Sequence, residues 1–191
     1  MSEATREGSS TEAPTPSDAE ALLALSVGAI RRALAGKPEE PQPAPPGLLG
    51  EKLALFVSLR RDGVPLGEVG TLAPTLPAAA LAVSLGRAAA FDDPRHLPLA
   101  SAQGVEVVLS VIAATRPLLD PASLDPATEG VRVRRGPYGA VLLPHEARGA
   151  GFDAVTWVTL CCRRAGLHGQ AFREPGTEVT ALAVVEATTF L

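Results

Sequence analysis

The chain has 191 residues and a formal net charge of -4, and 46% of its residues are hydrophobic while only 4% are aromatic. This length predicts one domain, or one compact body with two lobes, around a core built mainly from Leu, Val and Ala. The excess negative charge falls within residues 1–20, so the remainder lacks the basic field of a nucleic-acid-binding protein. Because no apolar run reaches the roughly 18–20 residues of a membrane helix, no membrane partner is predicted.

The N-terminal segment, residues 1–17, is acidic and rich in Ser, Thr and Pro. It cannot bury enough apolar surface to offset its ordering entropy, so we predict a disordered tail ahead of a domain at 18–191. The segment also lacks the basic start and apolar centre of a secretory signal. Cys161 and Cys162 are adjacent, a geometry that rarely allows a bridge, and free thiols are typical of a reducing compartment. A cytoplasmic location is therefore predicted.

The first half of the chain alternates helical and extended patterns. Asp18 is the predicted N-cap of a helix over 19–35, and the proline-rich stretch 37–50 is a predicted linker. Alternating apolar residues over 53–59 predict a strand with one buried face. Asp62-Gly63 is a hairpin signal that leads into a returning strand over 64–72. A helix is predicted over 78–91, because the Asp-Pro-Arg sequence that follows disfavours helical geometry.

The second half of the chain contains most of the predicted strands. We predict strands over 105–114, 130–135, 140–143 and 179–190, an irregular connection over 115–128, a helical turn over 144–148, and a helix over 154–165 capped by Asp153. Short hairpins join several of these strands. That pattern favours an α+β fold with an antiparallel sheet packed by helices over a doubly wound parallel fold.

Five segments of the sequence resemble the AMMECR domain family and occur in that family's order. They are FVSLRRDGVPLGEVGTL at 56–72, DPRHLPL at 93–99, VEVVLSVIAATRPL at 105–118, EGVRVRRGPYGAVLLPHEA at 129–147 and LCCRRAGL at 160–167. The resemblance implies a two-lobed α+β fold, with both termini in the larger lobe and a cleft between the lobes. The family includes the bacterial AmmeMemoRadiSam system protein A, so the resemblance also implies a Memo-like protein and a radical SAM enzyme as partners.

One motif departs from the family pattern. The family signature Leu-Arg-Gly-Cys-Ile-Gly is replaced here by residues 65–70, Pro-Leu-Gly-Glu-Val-Gly. Leu66 therefore stands in place of the Arg, and Glu68 in place of the Cys, which excludes a thiol nucleophile at this point. The glycines remain, which favours an unchanged backbone path.

Glu68 is the first candidate catalytic residue. A carboxylate in a partly buried cleft is expected to have a raised pKa, which suits general acid/base catalysis. The alternative is that the motif has drifted and Glu68 is solvated. His145, which follows Pro144 at the end of an apolar strand, is the second candidate. The family often has Gln at this position, and the alternative for His145 is a hydrogen-bonding or surface role.

Asp93, Arg95 and His96 are candidate ligand-binding residues in the Asp-Pro-Arg turn. The alternative is that Asp93 and Arg95 only hold the turn through local hydrogen bonds. No metal and no cofactor is predicted: adjacent helical cysteines diverge by about 100°, and the chain has neither a glycine-rich dinucleotide fingerprint nor a Walker motif. Cys161 and Cys162 are predicted to be buried as small hydrophobic residues.

Two functions fit these observations. The first is an accessory or adaptor protein of an AmmeMemoRadiSam-type system, since the fold pattern is retained while the family Arg and Cys are lost. The second is a small-molecule enzyme whose cleft uses Glu68, assisted by Arg95, His96 or His145. The two differ in one geometric expectation: an enzyme requires Glu68, Arg95 and His145 to converge on a common cleft.

Overall fold

A computed structural model describes residues 13–38, 47–148 and 150–191. The chain forms one mixed fold of four α-helices, six strands and short 3₁₀ turns within these residues. The helices are α1 (Pro16–Leu34), α2 (Ala78–Phe91), α3 (Pro144–Ala147) and α4 (Ala154–Arg164). The strands are β1 (Leu55–Arg61), β2 (Val64–Thr71), β3 (Val105–Pro117), β4 (Glu129–Arg135), β5 (Tyr138–Leu142) and β6 (Glu178–Phe190).

All six strands belong to one antiparallel sheet with the order β2-β1-β3-β6-β4-β5. The predicted α+β class with an antiparallel sheet is therefore confirmed. Asp62 and Gly63 join β1 to β2 with φ values of 51° and 78°, a left-handed pair that the Asp-Gly sequence favours. Strands β2 and β5 form the two edges of the sheet.

Two buried clusters fill the two lobes of this fold. The larger one lies under α1 and α2 against β1 and β3, and it contains both Ala19 near the start of the described chain and Leu191 at its end. The second lies under α4 against β4 and β5, and it includes Trp157 and both cysteines. Helix α1 and the C-terminal residue Leu191 thus lie in the larger lobe, as the resemblance implies, although both lobes share a single sheet.

A third apolar group covers the sheet face opposite α1 and α2. Phe56, Ile112, Leu143 and Leu182 pack together there. Strand β1 is consequently buried on both faces along most of its length. The prediction of one buried face was wrong because the sequence pattern does not show that α3 and β6 bring side chains against the second face.

Several element boundaries differ from the predictions. Helix α1 begins at Pro16, so the last two residues of the predicted tail are helical, while residues 1–12 lie outside the described residues. Its N-cap is Thr15 rather than Asp18: Thr15 accepts a hydrogen bond from the Asp18 amide, and the Asp18 carboxylate accepts one from the Thr15 amide. This reciprocal capping box, with Pro16 in the first turn, outcompetes a cap three residues later.

Strand β3 also extends to Pro117, because Thr115–Pro117 pair with β6 instead of starting an irregular connection. The predicted linker ends in a short 3₁₀ helix at Gly47–Gly50, and its residues 39–46 lie outside the described residues. None of the described helices is long and apolar enough to cross a membrane.

Candidate functional site

A large cleft lies between the two edges of the sheet. It has a volume of about 810 Å³ and is lined by residues 68–73 of β2 and its following turn and by residues 136–141 of β5 and its preceding turn. Strand β2 pairs with β1, and β5 with β4, within the described chain. The sheet is therefore curled so that its two edge strands face one cavity. The rest of the lining comes from Phe56, Asp93, Pro94, Arg95, Arg132, Arg134 and Arg164.

Glu68 projects from the middle of β2 into this cleft. Strand alternation places its side chain opposite Ser58 of β1, and Ser58 donates a 2.9 Å hydrogen bond to Glu68 Oε2. The Glu68 side chain is 21% exposed. Among the described residues, no donor forms a hydrogen bond with the other carboxylate oxygen, Oε1. Glu68 is therefore held by one oxygen and can present the second to a molecule in the cleft.

His145 lies behind Glu68, in the first turn of α3, with a side chain that is only 2% exposed. Its Nε2 is 3.6 Å from Glu68 Oε2, and its Nδ1 is 3.0 Å from Glu186 Oε1. The His145 carbonyl accepts a 2.9 Å hydrogen bond from Arg60. The imidazole thus bridges two carboxylates that come from β2 and from β6.

Glu186 completes this array from the centre of β6. It is 7% exposed, and Ser110 of β3, its cross-strand neighbour, donates a 3.0 Å hydrogen bond to Oε1. Arg148, just after α3, forms an ion pair with Oε2. Each buried carboxylate therefore has a serine from the adjacent strand and a cationic partner, which satisfies the requirement of a buried charge for pairing.

The charges in this array stabilise one another. Burial alone lowers the pKa of His145, but its hydrogen bond to Glu186 and its contact with the Glu68 carboxylate outweigh burial and raise its pKa to about 9. Burial likewise raises the pKa of Glu68, and the hydrogen bonds from His145 and Ser58 outweigh it, so the pKa of Glu68 lies below its ordinary value. The raised pKa expected for Glu68 was wrong, because His145 supplies a cation that the sequence does not place beside it. At neutral pH Glu68 is a carboxylate and His145 an imidazolium.

The Asp-Pro-Arg turn supports the outer edge of β2. Asp93 is buried; its carboxylate accepts a 2.9 Å hydrogen bond from the Glu68 amide and bonds of 2.8 and 2.9 Å from the Arg95 guanidinium. Arg95 also donates to the Glu68 carbonyl. The bond from Arg95 holds the pKa of Asp93 well below its usual range. Both residues line the cleft, whereas His96 belongs to the same turn but is not part of the lining.

Four arginines line the cleft. Arg95 is paired with Asp93, and Arg164 of α4 pairs with Glu146 of α3 at 2.6 Å. Arg132 and Arg134 project from alternate positions of β4. These guanidinium groups are suited to binding carboxylate or phosphate groups.

The two cysteines are remote from this chemistry. Cys161 and Cys162 belong to α4 and are fully buried, and the Cys161 thiol contacts the carbonyls of Val131 and Ala140 at 3.5 Å. Burial raises the pKa of Cys161 to about 12. Both thiols therefore act as packing groups, as predicted from the sequence. Within the described ranges, no three His, Cys, Asp or Glu side chains are arranged to hold a metal ion.

The structure therefore brings Glu68, His145, Asp93 and Arg95 to one region, and it adds residues that the sequence reasoning missed. Among the missed residues, Glu186 had the clearest sequence signal, since it is the only charged residue in the predicted strand over 179–190. Ser58 and Ser110 likewise interrupt apolar strands. Arg132 and Arg134 alternate with Val131 and Val133, a pattern that by itself indicates only a solvent-exposed strand face, because the position of β2 across the curled sheet is not visible in the sequence.

Comparisons with known proteins identify the family. The AMMECR1 family model matches residues 23–186. A protein of Pyrococcus furiosus is 30% identical over 173 residues, which is 84% of this chain and 82% of that protein. A protein of Aeropyrum pernix is 33% identical over 144 residues, which is 70% of this chain but only 62% of that protein. The crystal structure of an uncharacterised protein from Pyrococcus horikoshii has a TM-score of 0.79, with 27% identity, 89% coverage of this chain and 90% of that chain. This chain belongs to the AMMECR1 family.

Proposed function

We propose that this protein is an enzyme that acts on a small molecule in the cleft between β2 and β5, with Glu68 as the general base. The observation that supports this proposal is the array of Glu68, His145 and Glu186, in which Glu68 alone faces the cleft. Of the three residues expected to converge, Glu68 and Arg95 line the cleft, and His145 contacts the Glu68 carboxylate from behind it, which supports the proposal. This geometry favours the enzyme over a purely structural role for the altered motif.

Each residue of the array has a distinct task in this proposal. Glu68 Oε1 removes a proton from the bound molecule, or from a water beside it, and returns it later in the cycle. His145 remains protonated and keeps Glu68 ionised until the transfer, while Glu186 holds the imidazole in place. A carboxylate with a lowered pKa is a weak base, so the proton that it removes must be made acidic by nearby positive charge. The arginines of the cleft provide that charge.

Replacement of Glu68 by glutamine tests the proposal directly. Glu68→Gln keeps the size and the Ser58 contact but removes the base, so we expect the reaction to slow by about 100-fold or more. Wild-type protein and variant are incubated with a metabolite extract from the native host, and the consumed and formed compounds are identified by mass spectrometry. Glu20→Gln, an equal charge change on the exposed surface of α1, serves as the control and is expected to match the wild type. Identical profiles for wild type and Glu68→Gln would exclude Glu68 as the base.

A second proposal is that the protein is an accessory component of an AmmeMemoRadiSam-type system that binds a Memo-like protein or a radical SAM enzyme. The observation that favours it is Leu97, which is 90% exposed and lies two residues after Arg95, a residue of the cleft lining. Contact with a protein partner would remove this apolar side chain from water. The free buried cysteines support a cytoplasmic location for either function. We also propose that residues 18–191 act as the single functional domain.

The adaptor proposal predicts that Leu97→Asp abolishes co-purification of such a partner from the native host under reducing conditions. The charge places a hydrated carboxylate where an apolar contact is expected. Leu119→Asp is the matched control, because Leu119 is 95% exposed and follows β3 rather than the Asp-Pro-Arg turn. Mass spectrometry identifies the recovered proteins. Recovery of neither a Memo-like protein nor a radical SAM enzyme with the wild type would contradict this function.

A further inference from the structure

We infer that the ligand of this cleft is an organic anion, whose carboxylate or phosphate group is bound by Arg132 and Arg134. The inference deepens the proposed function, because it names the class of substrate that Glu68 would act on. Three features of the cleft support it: the other charged groups are paired, the two arginines are not, and apolar walls lie between the arginines and Glu68.

The other charged groups of the cleft are already paired. Arg95 is bound by Asp93 and Arg164 by Glu146, at 2.8 and 2.6 Å. Behind the cleft wall, the two carboxylates of the Glu68 array are balanced by the two cations of His145 and Arg148. Each of these groups is close to neutral as a unit. The net positive charge of the lining therefore comes from the two remaining arginines on β4.

The guanidinium groups of Arg132 and Arg134 have no hydrogen-bond acceptor among the described residues. Arg132 is half-buried, and its cross-strand neighbours are Val141 on β5 and Thr180 on β6, neither of which carries a charge. Arg134 lies opposite Gly139 and Glu178, but its guanidinium forms no ion pair with Glu178. A half-buried guanidinium without an anion loses hydration and gains little in return. An anion in the cleft would supply the missing partner to both side chains.

The walls of the cleft indicate that this anion has an apolar body. Phe56, Leu72 and Val141 contribute apolar surface between the two sheet edges, and Tyr138 is exposed at the β4–β5 turn. Apolar walls with a few fixed polar groups are typical of sites for small organic molecules. A small inorganic ion would leave these walls in contact with water. An acid bound by the two arginines would also have its adjacent protons made more acidic, which suits a weak base such as Glu68.

Three probes with the same ring separate the possibilities: phenylacetate, phenyl phosphate and the uncharged 2-phenylethanol. Binding to the wild type is measured by calorimetry at constant ionic strength, so that general screening is the same in every titration. We expect one or both anions to bind and the alcohol to bind at least 10-fold more weakly, as is typical when a charge-assisted hydrogen bond is lost. The stronger anion tells whether the natural ligand carries a carboxylate or a phosphate. No binding by either anion, or equal binding by the alcohol, overturns the inference.

Variants then assign the site. Arg132→Gln is expected to weaken anion binding by about 10–100-fold, the effect of losing a hydrogen bond to a charged group. Arg163→Gln is the matched control, because Arg163 has the same charge, is exposed on α4 next to Arg164 and does not line the cleft. Arg134→Gln provides a second variant at the more exposed position, in case the Arg132 change impairs folding. Equal weakening by Arg163→Gln, or no weakening by either cleft variant, contradicts the inference.

Binding is measured without turnover, so the substrate class and the role of Glu68 are tested separately. Glu68→Gln should bind the anion as tightly as the wild type or more tightly, since it removes one negative charge from the cleft. If Glu68→Gln binds normally and the metabolite experiment shows no reaction, the base assignment fails and the anion site stands. If the anions do not bind but Glu68 proves essential for a reaction, the substrate class assigned here is wrong.

Discussion

Replacement of His145 by glutamine should destabilise the protein by about 3–5 kcal/mol at pH 6.5, the typical cost of removing one partner from a buried ion pair. Glutamine can still donate one hydrogen bond, but it leaves Glu68 and Glu186 without the cation that lies between them. The carboxylates cannot move apart, because each is fixed on its own strand of one sheet. We therefore expect urea unfolding to show a lower midpoint with an unchanged slope, which indicates a loss of stability without a change in the surface exposed on unfolding.

The destabilisation caused by His145→Gln should become smaller as the pH rises, because His145 then loses its proton in the wild type. Its pKa is raised from 6.5 to about 9 in the folded protein, so its contribution is fully present below pH 6.5 and is lost as the pH rises through about 9. The other charged groups around it are Glu68, Glu186 and Arg148, with Arg60 bound to its carbonyl. The pKa values of Glu68 and Glu186 lie below their ordinary values, so both carboxylates stay ionised over this range. The free-energy difference between wild type and His145→Gln should therefore shrink by about 3 kcal/mol between pH 6.5 and 9.5.

His168→Gln is the control for this measurement. His168 pairs with Glu174 at 2.6 Å, but its side chain is 58% exposed, and such surface pairs contribute at most about 1 kcal/mol. Unfolding curves for the three proteins at pH 6.5, 8 and 9.5 test the assignment. A His145→Gln effect that stays constant over this range would show that the imidazole stabilises the fold by packing alone, with no charge of its own.

The features of the fold that follow from local sequence were predicted, and those that depend on distant partners were not. Asp62-Gly63 places the β1–β2 hairpin, and the helix over 78–91 was predicted with the bounds it has, because apolar content, flanking prolines and the Asp-Pro-Arg stop all agree. The extension of β3 to Pro117 depends on pairing with β6, which lies more than 60 residues away. The Asp18 cap failed for a different reason: two local signals competed, and the capping box of Thr15 and Asp18 prevailed.

In the candidate site, too, single residues were predicted from local sequence, whereas their contacts were not. Glu68 was found because it replaces the cysteine of a family motif, and His145 because it follows a proline at the end of an apolar strand. Their contact could not be predicted, since it requires the sheet to curl and α3 to fold back over β6. The direction of the pKa change at Glu68 depends on that contact, because burial and an adjacent imidazolium act in opposite directions. Sequence alone identified the titratable groups but not their electrostatic partners.

The second large effect is expected at Gly67, the residue before Glu68. A Cβ added there would lie 2.0 Å from the carbonyl oxygen of Ala89 in α2, far inside van der Waals contact. The obstacle is helix backbone, which cannot rotate away as a side chain can. Gly67→Ala must therefore push β2 away from α2, and we expect a destabilisation of about 3 kcal/mol or more, at or beyond the upper end of ordinary overpacking.

Gly28→Ala provides a control with the opposite sign. Gly28 lies within α1, where an added Cβ would meet nothing closer than the Arg32 side chain at 3.7 Å, so the substitution should stabilise the protein by up to about 1 kcal/mol through helix propensity. Unfolding curves for both variants, together with anion binding, test the argument. The shift of β2 in Gly67→Ala should also displace Glu68 from Ser58 and His145, so any folded fraction should show a weaker dependence of stability on pH between 6.5 and 9.5. Unchanged stability would mean that β2 can move without loss, and the glycine before Glu68 would then have no structural role in positioning the base.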